Sequence, residues 1–157
     1  MSASWNKWWN RWAGDARGNA LIEFAFVLPL WLLLSTGMLE VGRGFYQTSA
    51  LEKSVRAGAL YLARHSFPLS TATLLAAENL VKTGSVDGGD FAVSGWAKTG
   101  SDLQITSAKF TVDGVDIPVV RIRAHVPFDP IFASLPDFVG LSSFTMTAQN
   151  EQAHVGD

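Results

Sequence analysis

Hydrophobic positions are spread unevenly along this chain. Residues 20–39 read ALIEFAFVLPLWLLLSTGML, with Glu23 the one charge and none in the sixteen residues 24–39. Twenty helical residues at about 1.5 Å each reach about 30 Å, the hydrocarbon thickness of a bilayer. Apolar side chains occupy every side of that helix, the pattern of burial in lipid rather than of a half-exposed soluble helix. Pro29 is compatible with a membrane helix, with a kink. The helical spacing continues beyond residue 39 in EVGRGFYQTSALEKSVRAGALYLARH. There Leu51, Val55, Ala59 and Leu62 form one apolar stripe, and Glu52 and Arg56 stand at i, i+4 on another face. Ala50, Ser54 and Gly58 make a row of small residues where another backbone could approach. A single helix over 19–65 would be about 70 Å long, half in lipid and half projecting outward. The apolar run exceeds the h-region of about 7–15 residues in a secretory signal, and no small-x-small cleavage site follows it.

The flanking segments differ from this helix. Trp5, Trp8, Trp9 and Trp12 fall at i, i+3, i+4 and i+7, with Asn6, Lys7, Asn10 and Arg11 on the other side. Tryptophan favours the headgroup region and basic residues an anionic leaflet, so the pattern predicts a short interfacial helix before a turn over 14–18. After Arg64, a second helix is expected to start near Ser70 or Thr71 and to end at Gly84. Strand-like runs follow at 91–96, 103–112, 115–126 and 143–149. Asp113-Gly114 is a hairpin signal between two of them, and Pro118 is expected at a strand start or edge. The three-proline segment 126–138 reads as an ordered loop. A small sheet buries little alone, so it should pack on the stripe at Leu51, Val55 and Leu62. The expected fold is α+β: a long N-terminal transmembrane helix continuing outward onto a small antiparallel β-sheet. The parts are 1–18, a leader with the Trp-rich helix; 19–65, the transmembrane and extended helix; and 66–157, an extracytoplasmic α+β domain.

Composition narrows the chemistry. The 157 residues are 48% apolar and 17% charged, with a mean hydropathy of +0.17, which argues against disorder of the whole chain. The net charge is −2, divided as +2 over the first eighteen residues and −4 over the rest. That balance gives no basic face for nucleic acid. The chain has no cysteine, which excludes disulfides, thiol catalysis and thiolate metal sites. His65, His125 and His154 lack neighbours at metal-ligand or nucleophile-base spacing. Asp87-Gly-Gly-Asp90 lacks the ligand density of a calcium loop and reads as a polar turn, and Asp113 and Asp116 read as solvated groups at the hairpin. No phosphate loop or G-x-S-x-G elbow occurs. No catalytic residue, cofactor or metal is expected, and the chain is not expected to be an enzyme.

An acid in a membrane run is a functional-site hypothesis by default. Glu23 lies five residues after Gly18 in R-G-N-A-L-I-E-F. This resembles the processing site of type IV prepilins, in which a membrane aspartyl peptidase cuts after glycine and glutamate occupies mature position five. The pair Glu23-Phe24 resembles the Flp branch of tight-adherence pili. The wider stretch 18–64, with EFAFVLPLWLLL, LEVGRGFY and ALEKSVRAGALYLAR, is similar to the TadE-like pseudopilins of that machinery. The resemblance implies a pilin-like fold and cleavage between Gly18 and Asn19. The new ammonium of Asn19 would then sit near Glu23, or near a neighbour's Glu23, offsetting the cost of either charge in lipid. Asn19 departs from the apolar residue many major pilins carry there.

The implied role is a minor pseudopilin-like assembly component of a bacterial tight-adherence (Flp type IVb) pilus and secretion system, serving cell adhesion. It implies a single-pass protein of the inner membrane, N-terminus cytoplasmic and C-terminal domain periplasmic or extracellular. Its partners would be inner-membrane lipid, the prepilin peptidase, other pilins or pseudopilins, and tight-adherence assembly proteins. The alternative is an uncleaved single-pass anchor holding an extracytoplasmic binding module. A membrane-tethered hydrolase is disfavoured by the missing catalytic constellation.

Overall fold

The computed structural model describes residues 16–132 and 144–155. The Trp-rich helix expected at Trp5, Trp8, Trp9 and Trp12 lies outside them, as does much of the proline-bearing loop. Helix α1, Ala16–Ala63, is followed by α2, Thr71–Thr83, a 3₁₀ turn at Ser94–Ala97, and strands β1, Asp102–Val112, β2, Val115–Pro127, and β3, Thr145–Ala153. The chain divides into two compact units, Met1–Leu39 and Glu40–Asp157. The architecture is α+β, a long apolar N-terminal helix followed by a three-stranded antiparallel sheet, as the residue pattern predicts.

In the first unit, α1 runs through Pro29. Leu21, Ile22, Phe26, Leu30, Trp31 and Met38 are all exposed, and none of the apolar window is buried within the chain. The Thr36 hydroxyl donates to the Leu32 carbonyl at 2.8 Å, so this polar group in the apolar run has a partner within its own helix.

In the second unit, the predicted stripe is the helical side of the core. Leu51, Val55, Ala59 and Leu62 are each no more than 1% exposed. They share one cluster with Val120, Ile122, Ala124 and Val126 from alternate positions of β2. One member of the small-residue row is used within the chain: a Cβ at Gly58 would lie 2.4 Å from Val81 Cγ2 on α2 and 3.2 Å from Ile122 Cδ1. Helix α2 has the expected limits. The Ser70 side chain accepts from the Thr73 N–H, and Gly84, at φ 80°, closes the last turn by donating to the Leu80 carbonyl. Helix α1 ends differently, with the Ala63 carbonyl accepting from the Val155 N–H at 3.0 Å.

The sheet order is β1-β2-β3. The β1–β2 hairpin turns at Asp113-Gly114, with φ of 50° and 79°, and pairs Val112 with Val115. Positive φ at both central residues is the two-residue turn that matches strand twist. Pro118 lies one position outside the β2–β3 ladder, which starts at Val119↔Ala153, and its carbonyl accepts from the His154 N–H. Two strand expectations are corrected. Residues 91–96 form no strand: Val93, Gly95 and the adjacent Trp96 are all buried, and a 3₁₀ turn at Ser94–Ala97 turns the successive positions 95 and 96 inward together where a strand would alternate them. Strand β3 extends to Ala153 rather than 149, because its polar end pairs with charged positions on β2. There the Arg121 guanidinium donates to Glu151, and Arg123 Nη2 donates to Gln149 Oε1 at 2.9 Å.

Candidate anchor and processing segment

The residues singled out at the start of the apolar run lie on one helix. Gly18 is in the first turn of α1, since the chain is helical from Ala16. The turn expected over 14–18 is therefore absent from 16–18, and residues 14 and 15 lie outside the described part. Beyond its neighbours and its own helix backbone, no described residue comes within 4 Å of a Cβ built at Gly18, so that face of the helix is open to approach. Positions 19 and 23 are four apart on α1, one turn along the same face. Glu23 and Phe24 are exposed, Phe24 at 60%. A helix that presents an acid and an aromatic ring at the start of an otherwise uncharged surface can be read by a partner within the membrane.

The far end of the run carries a feature that the residue pattern did not single out. Glu40, the first charge after residue 23, is 5% exposed, and its Oε1 accepts from the Phe132 N–H at 2.7 Å. Its Oε2 is buried and has no hydrogen-bond partner among the described residues. The only sequence signal was an acid directly following sixteen uncharged residues; the contact itself spans 92 positions. One turn on, Arg43 faces Gln47. With the Gln47 amide oxygen turned toward it, that oxygen accepts from Arg43 Nη2 at 3.1 Å and Nε at 3.2 Å. Phe45 and Tyr46 are exposed at this end, the placement favoured by aromatic side chains at a membrane surface.

The remaining titratable groups are dispersed. The His65 ring lies against Tyr61, with Nδ1 2.8 Å from the Tyr61 carbonyl. His125 Nδ1 is 3.1 Å from Thr147 Oγ1, and His154 meets the edge of Phe67. Asp113 turns the hairpin, and Asp116 Oδ1 accepts from the Thr111 hydroxyl. Among the described residues, no three His, Asp or Glu side chains are grouped to hold a metal ion. Two carboxyls are held below their ordinary values: Glu151 chiefly by its hydrogen bond from Arg121, and Asp129 chiefly by its hydrogen bond from Lys98, 2.7 Å away. Both are ion pairs reached by solvent, a structural role.

Helix and sheet together define a class: an α+β protein whose one membrane-competent helix, among the described residues, lies near the N-terminus. The family model described as TadE-like protein matches residues 18–60. That match takes in a little over a quarter of the chain, starts at Gly18 and ends within the core stripe. The resemblance is therefore to a TadE-like protein of the tight-adherence system, and it points to a component associated with that pilus. No curated protein and no solved structure matches the chain.

Proposed function

We propose that this chain is a minor pseudopilin-like assembly component of a tight-adherence pilus, cut by a prepilin peptidase after Gly18. The observation that carries the reading is the TadE-like match, which begins at Gly18 and covers a helix whose apolar run has no cover within the chain. In this reading residues 1–18 are a cytoplasmic leader, residues 19–65 anchor the protein once in the inner membrane, and 66–157 lie outside it. Gly18 opens the backbone to the peptidase. After cleavage the ammonium of Asn19 neutralises Glu23, in the same chain or a neighbour, and so sets subunit register. The work is binding rather than catalysis: lateral helix contacts with other pilins and assembly proteins, then contacts through the sheet domain.

The test is the N-terminal sequence and intact mass of the protein extracted from its native membranes. A chain beginning at Asn19 supports the reading. A chain that keeps residues 1–18 where the peptidase is active overturns processing and leaves a permanent anchor carrying a binding module. That second reading has one structural argument, the unbroken helix from Ala16 across Gly18.

A further inference from the structure

The outward face of the sheet changes character along its length. Val120, Ile122, Ala124 and Val126 turn inward from β2, so the intervening positions of that strand, and the residues registered with them, face away from the helices. At the hairpin end this outward face is apolar: Val115, Ile117 and Val119 on β2, Ala108 and Phe110 on β1, and Ala153 on β3. Phe110 and Val115 are exposed, and Ile117 and Val119 keep part of their surface in solvent. The rest of the face is polar, with Arg121, Arg123 and His125 along β2 and Gln149 and Glu151 beside them. A contiguous apolar patch rimmed by polar groups marks a contact surface.

We propose that a second copy of this chain docks on this patch, sheet face to sheet face, with the two β2 strands antiparallel. The inference deepens the sheet-domain contact of the proposed function and rests on the reading that α1 anchors the chain in a membrane.

Charge selects both the occupant and its direction. Ile117 is the midpoint of the patch along β2, with Asp113 four positions to one side and Arg121 four to the other. At the tip, Lys109 against Asp113 and Asp116 leaves −1; past the patch, Arg121 and Arg123 against Glu151 leave +1. Lys109 is matched by Asp116 at 3.7 Å, and Asp113 is exposed at the turn. An antiparallel stack centred on Ile117 sets each acidic tip over the other copy's arginines and Phe110 over its counterpart. A parallel stack would set arginine over arginine. The patch is therefore self-complementary, as a two-fold contact requires. Six apolar residues are far fewer than the about 20–30 a side of a standard interface, so the contact is weak in dilute detergent. Anchors in one membrane supply the effective concentration that it needs.

The chain has no cysteine, so an introduced thiol reports its own surroundings. The test reconstitutes the full chain in vesicles of phosphatidylglycerol and phosphatidylethanolamine and adds a bismaleimide spanning about 10 Å, the spacing of packed sheets. Ile117→Cys should cross-link to itself, as should Val115→Cys mixed with Val119→Cys. His125→Cys should not, because its two thiols would lie about 50 Å apart. Adding Phe110→Asp to Ile117→Cys should lower the yield about tenfold. Adding Asp113→Asn, which keeps the turn, should lower it about threefold, and it decides the matter if Phe110→Asp does not fold. No cross-link at Ile117→Cys or in the mixed pair, an equal yield at His125→Cys, or yields unmoved by both added substitutions overturns the pairing. A thiol at position 117 that vesicles shield from a water-soluble maleimide at every protein-to-lipid ratio, without cross-linking, gives the patch to the bilayer and overturns it too. Protease access from the two sides of the vesicle reports insertion separately: a chain that does not insert loses both readings, whereas one that inserts without the cross-link loses only this one.

Discussion

Gly58 on α1 faces Val81 on α2 so closely that a methyl group in place of its hydrogen would lie 2.4 Å from Val81 Cγ2. Both residues belong to the packed interior of the second unit, and Val81 is fully buried. Gly58→Ala gains helix propensity but must displace Val81 and crowd Ile122. We expect a net loss of about 1–2 kcal/mol, since overpacking outweighs propensity. Chemical denaturation should show this, and Val81→Ala in the same chain should recover part of the loss.

Gly95 is under a harder constraint. A Cβ there would lie 2.1 Å from the Pro127 carbonyl oxygen and 2.6 Å from Val126 Cγ1. Backbone on a central strand gives way less readily than a side chain. Gly95→Ala should therefore cost about 3 kcal/mol, more than Gly58→Ala, and should lower the melting temperature accordingly.

The Lys98–Asp129 pair sets an acid dependence. The folded carboxyl titrates below its ordinary 3.8, so its contribution is complete above that value and is lost as pH falls through the lower folded value. Lys98→Gln should raise the Asp129 pKa, observable by NMR titration. Its stability deficit should be under about 1 kcal/mol near neutral pH, because solvent reaches both ends, and should vanish in stronger acid.

On the proposed reading, Gly18→Val should leave the mature protein heavier by its eighteen-residue leader, detectable as an intact-mass shift in membranes with active peptidase. Glu23→Ala should chiefly impair processing or assembly. Unchanged mass and unchanged pilus formation in Glu23→Ala would argue strongly against a pilin role.

What could be read from the residues was whatever depended on near neighbours. The stripe Leu51, Val55, Ala59 and Leu62 repeats at helical spacing, Ser70 and Gly84 carry the chemistry of a helix start and stop, and Asp113-Gly114 supplies two residues tolerant of positive φ. The rest depended on distant partners. Residues 91–96 read as a strand-like run, yet the burial of Val93 and Trp96 in one cluster and the approach of Gly95 to Pro127 go with a turn. The far half of β3 is too polar to read as a strand until Arg121 and Arg123 stand opposite it. Glu40 was not singled out from the residue pattern, because nothing near it in sequence announces Phe132.

The β1–β2 hairpin reaches past the point where β3 stops. From Val119↔Ala153 outward, Pro118 keeps one bond from His154, residues 115–117 of β2 pair only with 110–112 of β1, and Phe110 and Val115 there are each 64% exposed. Two strands without a third are marginal in water. The hairpin tip should therefore open ahead of the ladder around Ile122. Its amides should exchange with solvent deuterium at near-unprotected rates, orders of magnitude ahead of those at the centre of β2.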